Sequence, residues 1–332
     1  MDRAEFYREA RSDLPGPIHD LRVLECTTTW AGPMAGCILA DFGADVIKVE
    51  LPEGEVARRV PPMLPGTTTS FMHETVNRNK RCLSLDLRTD AGRELFLEVA
   101  RTVDVVIENF LPGTLRRWGL GYEDVRTVKG DIVYVSISGW GQYGPWSDRP
   151  GYDPLVQAAS GVMALNAEVT TGIPSRVPVW FGDDLSGLHA ALAALAALRH
   201  RDTTGEGQYV DVSMLDVVLF QSNGNLTLGA IGEPLVPWGA QLPACVPGNA
   251  FRCRDDRFVY TGCILETHWA RFCRLLGRPE LVEEPGWRSN VERIANREAV
   301  HELFEAWCAA FDRDELLDLL AAEGLPGAPV GA

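Results

Sequence analysis

Short apolar runs alternate with helix-forming stretches through the first half of the chain, and this alternation limits the fold more than any other feature. LRVLEC (21–26) leads into a loop and a small-residue helix, TTTWAGPMAGCILADFG, and then into ADVIKVE (44–50). Strand, helix and strand within about 30 residues make a βαβ unit, whose strands lie parallel because the crossover returns the chain to the same end. CLSLDL (82–87), a helix near 89–103 and DVVIEN (104–109) repeat the unit, and DIVYVSIS (131–138) and GQYVDVSM extend the sheet. Between the units, 51–69 is a Pro- and Gly-rich segment long enough to be a binding loop. LSGLHAALAALAALR (185–199) carries leucines at helical spacing along one face, and 215–232 reads as a further helix.

Beyond about residue 232 the texture changes. A turn-rich stretch gives way to a hairpin around Arg254-Asp255-Asp256-Arg257 and to amphipathic helices near 267–276, 298–311 and 313–323. The expected architecture is an α/β large domain with a Rossmann-like parallel sheet (1–232) and a smaller α+β domain (233–332).

Charge removes several functions. With 31 basic and 46 acidic residues the net charge is −15, a surface that repels nucleic acid and anionic lipid. No apolar run reaches membrane-spanning length, and the charged N-terminus lacks a secretory apolar core, so a cytoplasmic location is expected. The eight cysteines form no CxxC pair and the histidines no ligand spacing, so no metal is expected. Only Lys48, Lys80 and Lys129 are lysines; an anion site here relies on arginine.

Among motifs, GWGQYG (139–144) matches a dinucleotide glycine pattern, but Pro145 and Pro150 follow where a helix must open, which disfavours nicotinamide binding. His73 falls in an irregular polar region and His189 on the alanine-rich helix, and no G-x-S-x-G elbow is present. Gly182-Asp183-Asp184-Leu185-Ser186-Gly187 puts two carboxylates where that helix begins. Asp is a common helix cap; an accessible ionised carboxylate there is also a nucleophile for acyl carbon. Arg58 and Arg59, then Arg78, Lys80 and Arg81, then Arg116 and Arg117 recur on loops between βα elements, as surface charge or as a multi-phosphate site.

Taken in order, AGPMAGCILADFGADVIKVE, NRNKRCLSLDLRTDAG, DVVIENFLPGTLRRWGLGYEDV, VYVSISGWGQYGP, GYDPLVQAASG and GDDLSGLHAALAALAAL…TGEGQYVDVSMLD resemble the class III CoA-transferase family, which also holds the alpha-methylacyl-CoA racemases. The resemblance implies Asp183 as catalytic nucleophile, in a D-x-x-small-G pattern completed by Ser186 and Gly187. It implies CoA contacts at Ala31, Leu85, Arg88, Asn109, Phe110 and Arg117. The substrates would be an acyl-CoA and a carboxylic acid, with CoA itself a substrate and no further cofactor, in an intertwined homodimer. Leu51 stands where the family often has an arginine, leaving phosphate to Arg58, Arg88 or Arg117. Trp30 replaces a glutamine near the acyl site, and Trp140 adds an aromatic wall. The glycine-rich loop of the small domain is represented at best by Trp238-Gly239-Ala240-Gln241, and the family's C-terminal return to the large domain is expected to be missing. Tyr152 stands where racemases have a histidine base; as tyrosine ionises near pH 10, transferase is favoured over racemase. A non-catalytic acyl-CoA-binding subunit is the remaining alternative.

Overall fold

The computed structural model describes residues 2–8 and 13–331. Contacts divide the chain into two compact units, one of 1–164 and 174–235, the other of 165–173 and 236–332. The second unit thus takes in a short stretch well before residue 233, where the change of texture sets in.

The larger unit is built on six parallel strands in the order β3-β2-β1-β4-β5-β6: β1 Arg22–Cys26, β2 Asp45–Glu50, β3 Lys80–Ser84, β4 Val105–Glu108, β5 Val133–Ser138 and β6 Tyr209–Ser213. Val23 of β1 pairs with Val46 on one side and with Val105 on the other, so the winding reverses between β1 and β4. Such a reversal opens a crevice at the carboxyl ends of the strands. Both faces are covered, which explains the near-continuous apolar runs. Val23, Val105, Val135 and Ile137 pack under the helices Ala31–Asp41 and Phe181–Thr204; Leu24, Val106 and Tyr134 pack with Phe96 and Ala100 of the helix Asp90–Ala100. Gly187 lets the two helices of the first face approach closely, since a Cβ there would lie 2.7 Å from Met34 and 3.0 Å from the Ala31 carbonyl.

Two sequence expectations need correction here. β3 starts at Lys80 and ends at Ser84 rather than spanning 82–87. As an edge strand it tolerates charge, and its Lys80 reaches inward to the buried Glu25 at 2.6 Å. After the Leu85 N–H donates to the Glu50 carbonyl, the chain leaves the sheet in a turn in which Asp86 accepts from the Arg88 N–H. The expected helix at 215–232 is two, Met214–Phe220 and Asn225–Ala230, parted where Asn223 and Gly224 adopt positive φ.

In the smaller unit, β7 Gly248–Arg252, β8 Phe258–Gly262 and β9 Gly327–Pro329 form an antiparallel sheet. Asp256 turns the expected β7–β8 hairpin at φ +60°. Phe251 and Val259 share a core with Trp269, Phe272, Phe304 and Leu316 from the helices Glu266–Leu275, Arg297–Cys308 and Arg313–Ala322. Among the described residues, no helix is long and apolar enough to cross a membrane.

Candidate active site

The crevice between β1 and β4 is walled by a turn held from several directions. Thr27 offers its carbonyl to the Lys48 Nζ at 2.9 Å. Thr28 donates its N–H to Asn109 Oδ1 and accepts from Asn109 Nδ2, both at 2.9 Å. Thr29 donates to the buried Glu55 carboxylate at 3.0 Å. Lys48 is itself held at 3.0 Å by Glu25, and both are fully buried. Thr29 takes φ +63°, a conformation that costs a β-branched residue about 1–3 kcal/mol and persists only where its surroundings enforce it.

Trp30 and the helix Ala31–Asp41 follow directly. They line a cavity of about 460 Å³ together with Asn109, Phe110, Trp140, Tyr152, Asp153, Trp180 and Asp183. Among the described residues, Arg149 is the only arginine or lysine lining it; it stacks 4.7 Å over Trp146 and has no ion-pair partner among them.

The helix that carries Asp183 begins at Phe181, four residues ahead of the leucine spacing, so Asp183 lies inside the first turn rather than at the cap. Its carboxyl accepts no hydrogen bond from a described residue. It is partly buried, not exposed, and its pKa is pushed up to about 7 by burial, then by the charges of Asp153 and Asp184. This corrects the expectation of a freely ionised group: in a recessed position, loss of water and two neighbouring carboxylates outweigh the helix end. Asp184 is occupied elsewhere, its Oδ1 accepting the Trp30 indole N–H at 2.6 Å, with the Trp30 and Trp180 rings 6.4 Å apart.

A second cavity, about 370 Å³, shares Thr28 and Phe110 with the first and is lined by Leu51, Arg59, Leu85, Leu87, Arg88 and Trp118 among others. Arg88 binds Asp86 at 2.7 Å at its rim. Arg117 stands apart, in a third cavity with Arg116, Tyr122 and Tyr209. The structure therefore gathers Trp30, Ala31, Asn109, Phe110, Trp140, Tyr152 and Asp183 in one cavity, puts Leu85 and Arg88 in the neighbouring one, and leaves Arg117 outside both.

Most of the loop cations do not form an anion site. Arg58 is bidentate to Glu50 at 2.6 and 2.8 Å, Arg78 pairs with Asp41, Arg81 with Asp45 and Lys80 with Glu25. His73 is buried in the helix Phe71–Asn77, 3.6 Å from Glu50, rather than in irregular chain. His189 bonds the Leu185 carbonyl and packs on Phe220. Sequence reasoning did not single out Asp153, although it lies in the GYDPLVQAASG block and in an Asp-Pro pair opening a helix.

A doubly wound parallel sheet with ligand-sized cavities at its switch point defines the larger unit as an open α/β fold. The chain belongs to CoA-transferase family III, whose model matches residues 18–332. It is 37% identical over 323 residues to the succinyl-CoA:mesaconate CoA-transferase of Haloarcula hispanica, covering 95% of this chain and 80% of that protein. It is 34% identical over 334 residues to the succinate–glutarate CoA-transferase of Agrobacterium fabrum, covering 97% and 82%. The crystal structure of a CaiB/BaiF family protein from Brucella suis, 34% identical, superposes with a TM-score of 0.83 over 96% of this chain and 85% of that one.

Proposed function

We propose that the chain moves CoA from an acyl-CoA to a carboxylic acid through covalent intermediates on Asp183. The observation that carries this reading is a carboxyl without a hydrogen-bonding partner among the described residues, lining a cavity that shares Thr28 and Phe110 with the Leu85–Arg88 pocket. In the first step an ionised Asp183 oxygen bonds to the thioester carbon, and the carbon–sulfur bond breaks to release CoA thiolate. The thiolate then bonds to the Asp183 carbonyl carbon of the mixed anhydride, and the donor acid leaves with the bridging oxygen. The acceptor acid repeats the two steps in reverse. A nucleophile whose pKa lies near 7 suits such a cycle, because the carboxyl must attack and also leave near neutral pH.

The adenine end of CoA would lie in the Leu85, Arg88 and Phe110 pocket, and the pantetheine arm would run past Asn109 and Ala31 to Asp183. Short dicarboxylic acids are the favoured acyl groups: the relatives above are named for succinyl-CoA, mesaconate, succinate and glutarate. Arg149 would meet the distal carboxylate in a chamber otherwise walled by Trp30, Trp140 and Trp180. The test is exchange of labelled succinate into succinyl-CoA, with hydroxylamine trapping and peptide mass analysis. A modified Asp183 peptide is expected, with exchange lost at least about 10³-fold in Asp183→Asn. Wild-type exchange in that variant would refute the reading.

A further inference from the structure

Asp153 is the second carboxylate lining the Asp183 cavity and the one more fully removed from water, at 1% exposure. It opens the helix Asp153–Ala159. A carboxylate buried this deeply is tolerated only where donors satisfy it, and its side-chain oxygens accept from the chain leading to Asp183 and from its own helix. Oδ1 accepts the Gly182 N–H at 2.6 Å, and Oδ2 accepts the Gln157 amide Nε2 at 2.8 Å. The buried Gln157 passes the restraint on, its Oε1 accepting the Val177 N–H at 2.9 Å. Gly182 leaves room for the contact, since a Cβ there would lie 3.1 Å from Asp153 Oδ1. The approach to Asp183 is thus tied at Val177 and at Gly182 to one carboxylate–amide pair.

Resting on the reading of Asp183 as nucleophile, we propose that Asp153 is a positioning residue for the transfer: it fixes the first turn of the Asp183 helix against the cavity, and its charge governs how readily Asp183 gives up its proton. The charges that bear on Asp183 are Asp184 from its own helix and Asp153 from the neighbouring one. Arg176, upstream of the helix, acts on Asp153, and Arg149 is the cation lining the cavity. Burial raises the Asp153 pKa, while the Gly182 N–H, Gln157 and the Asp183 N–H oppose it. After burial, the charge of Asp153 is the next cause that holds the Asp183 carboxyl above its ordinary range.

Asp153→Asn keeps the shape and an acceptor for the Gly182 N–H but removes the charge. The probe is succinate–succinyl-CoA exchange, with kcat/KM followed from pH 5 to 9. Wild type should lose activity on the acid side near pH 7, and Asp153→Asn should carry that acid limb about one pH unit lower. Asp153→Ala, which also removes the acceptor, should move the limb and lower the plateau about tenfold or more. A merely structural role would lower the plateau and leave the limb in place, and an unmoved limb in a folded Asp153→Asn overturns the proposal. If neither variant folds, the wild-type protein decides: carboxyl-carbon NMR of Asp183 should show a second inflection from the titration of Asp153, and a single inflection overturns the coupling. Failure of the nucleophile reading looks different, since Asp183→Asn would then exchange like wild type at every pH.

Discussion

Replacing Asp183 by asparagine is expected to stabilise the protein, and increasingly so as the pH rises. The folded carboxyl titrates at about 7 against an ordinary 3.8. Between those values the folded chain holds a proton that the unfolded chain has released. Stability therefore falls as the pH climbs through this window, and the loss is complete above about pH 7; below about pH 4 both states are protonated and nothing is lost. At about 1.4 kcal/mol per pH unit the gap sets a ceiling of about 4 kcal/mol, which water reaching the carboxyl through the cavity lowers to about 2 kcal/mol. Asparagine brings the same shape without the charge. Asp183→Asn should unfold about 4–8 °C above wild type at pH 8 and within about 1 °C of it at pH 4. Thermal unfolding followed by circular dichroism across that range gives the comparison. Equal Tm values at pH 8, or an advantage just as large at pH 4, would show that the carboxyl is not held in a charge-disfavouring site.

Three further outcomes follow from contacts described above. Lys48→Met removes one of the cations buried against Glu25 and should cost about 3–5 kcal/mol; an unchanged urea midpoint would contradict this. Arg88→Ala should raise the KM for acyl-CoA about tenfold at constant kcat while sparing a pantetheine thioester that lacks the nucleotide; equal losses with both substrates would remove Arg88 from nucleotide binding. Incubation with a 2-methylacyl-CoA in deuterated water should leave the α-proton in place, because by the family resemblance Tyr152 takes the position of the racemase base; exchange at a catalytic rate would favour the racemase reading.

The parallel sheet was legible because its four inner strands, β2, β1, β4 and β5, are largely buried and so read as apolar runs. β3 was misplaced for the opposite reason: at the edge it carries Lys80 and Arg81, and the apolar Leu85 and Leu87 beyond it belong to a pocket wall. β9, three residues of Gly-Ala-Pro, has no side-chain pattern to reveal it. Asp183 could be picked out from its helix and from family resemblance, but its environment could not. The recess depends on Asp153, distant in sequence, and on an indole–carboxylate bond between Trp30 and Asp184 that no spacing rule announces. Likewise, whether a loop arginine is free depends on its partners: Glu50 takes Arg58 and Asp41 takes Arg78.

The turn at Thr27–Thr29 has a consequence for how this scaffold could acquire new substrates. Lys48, Asn109 and Glu55 grip its successive peptide groups from three different segments, which leaves the main chain no slack with which to reshape the chamber floor. Retuning selectivity by loop remodelling would first have to dismantle the strand ends that hold it. Exchange of the side chains projecting from the rigid frame, position 30 foremost, is the route that leaves the frame standing.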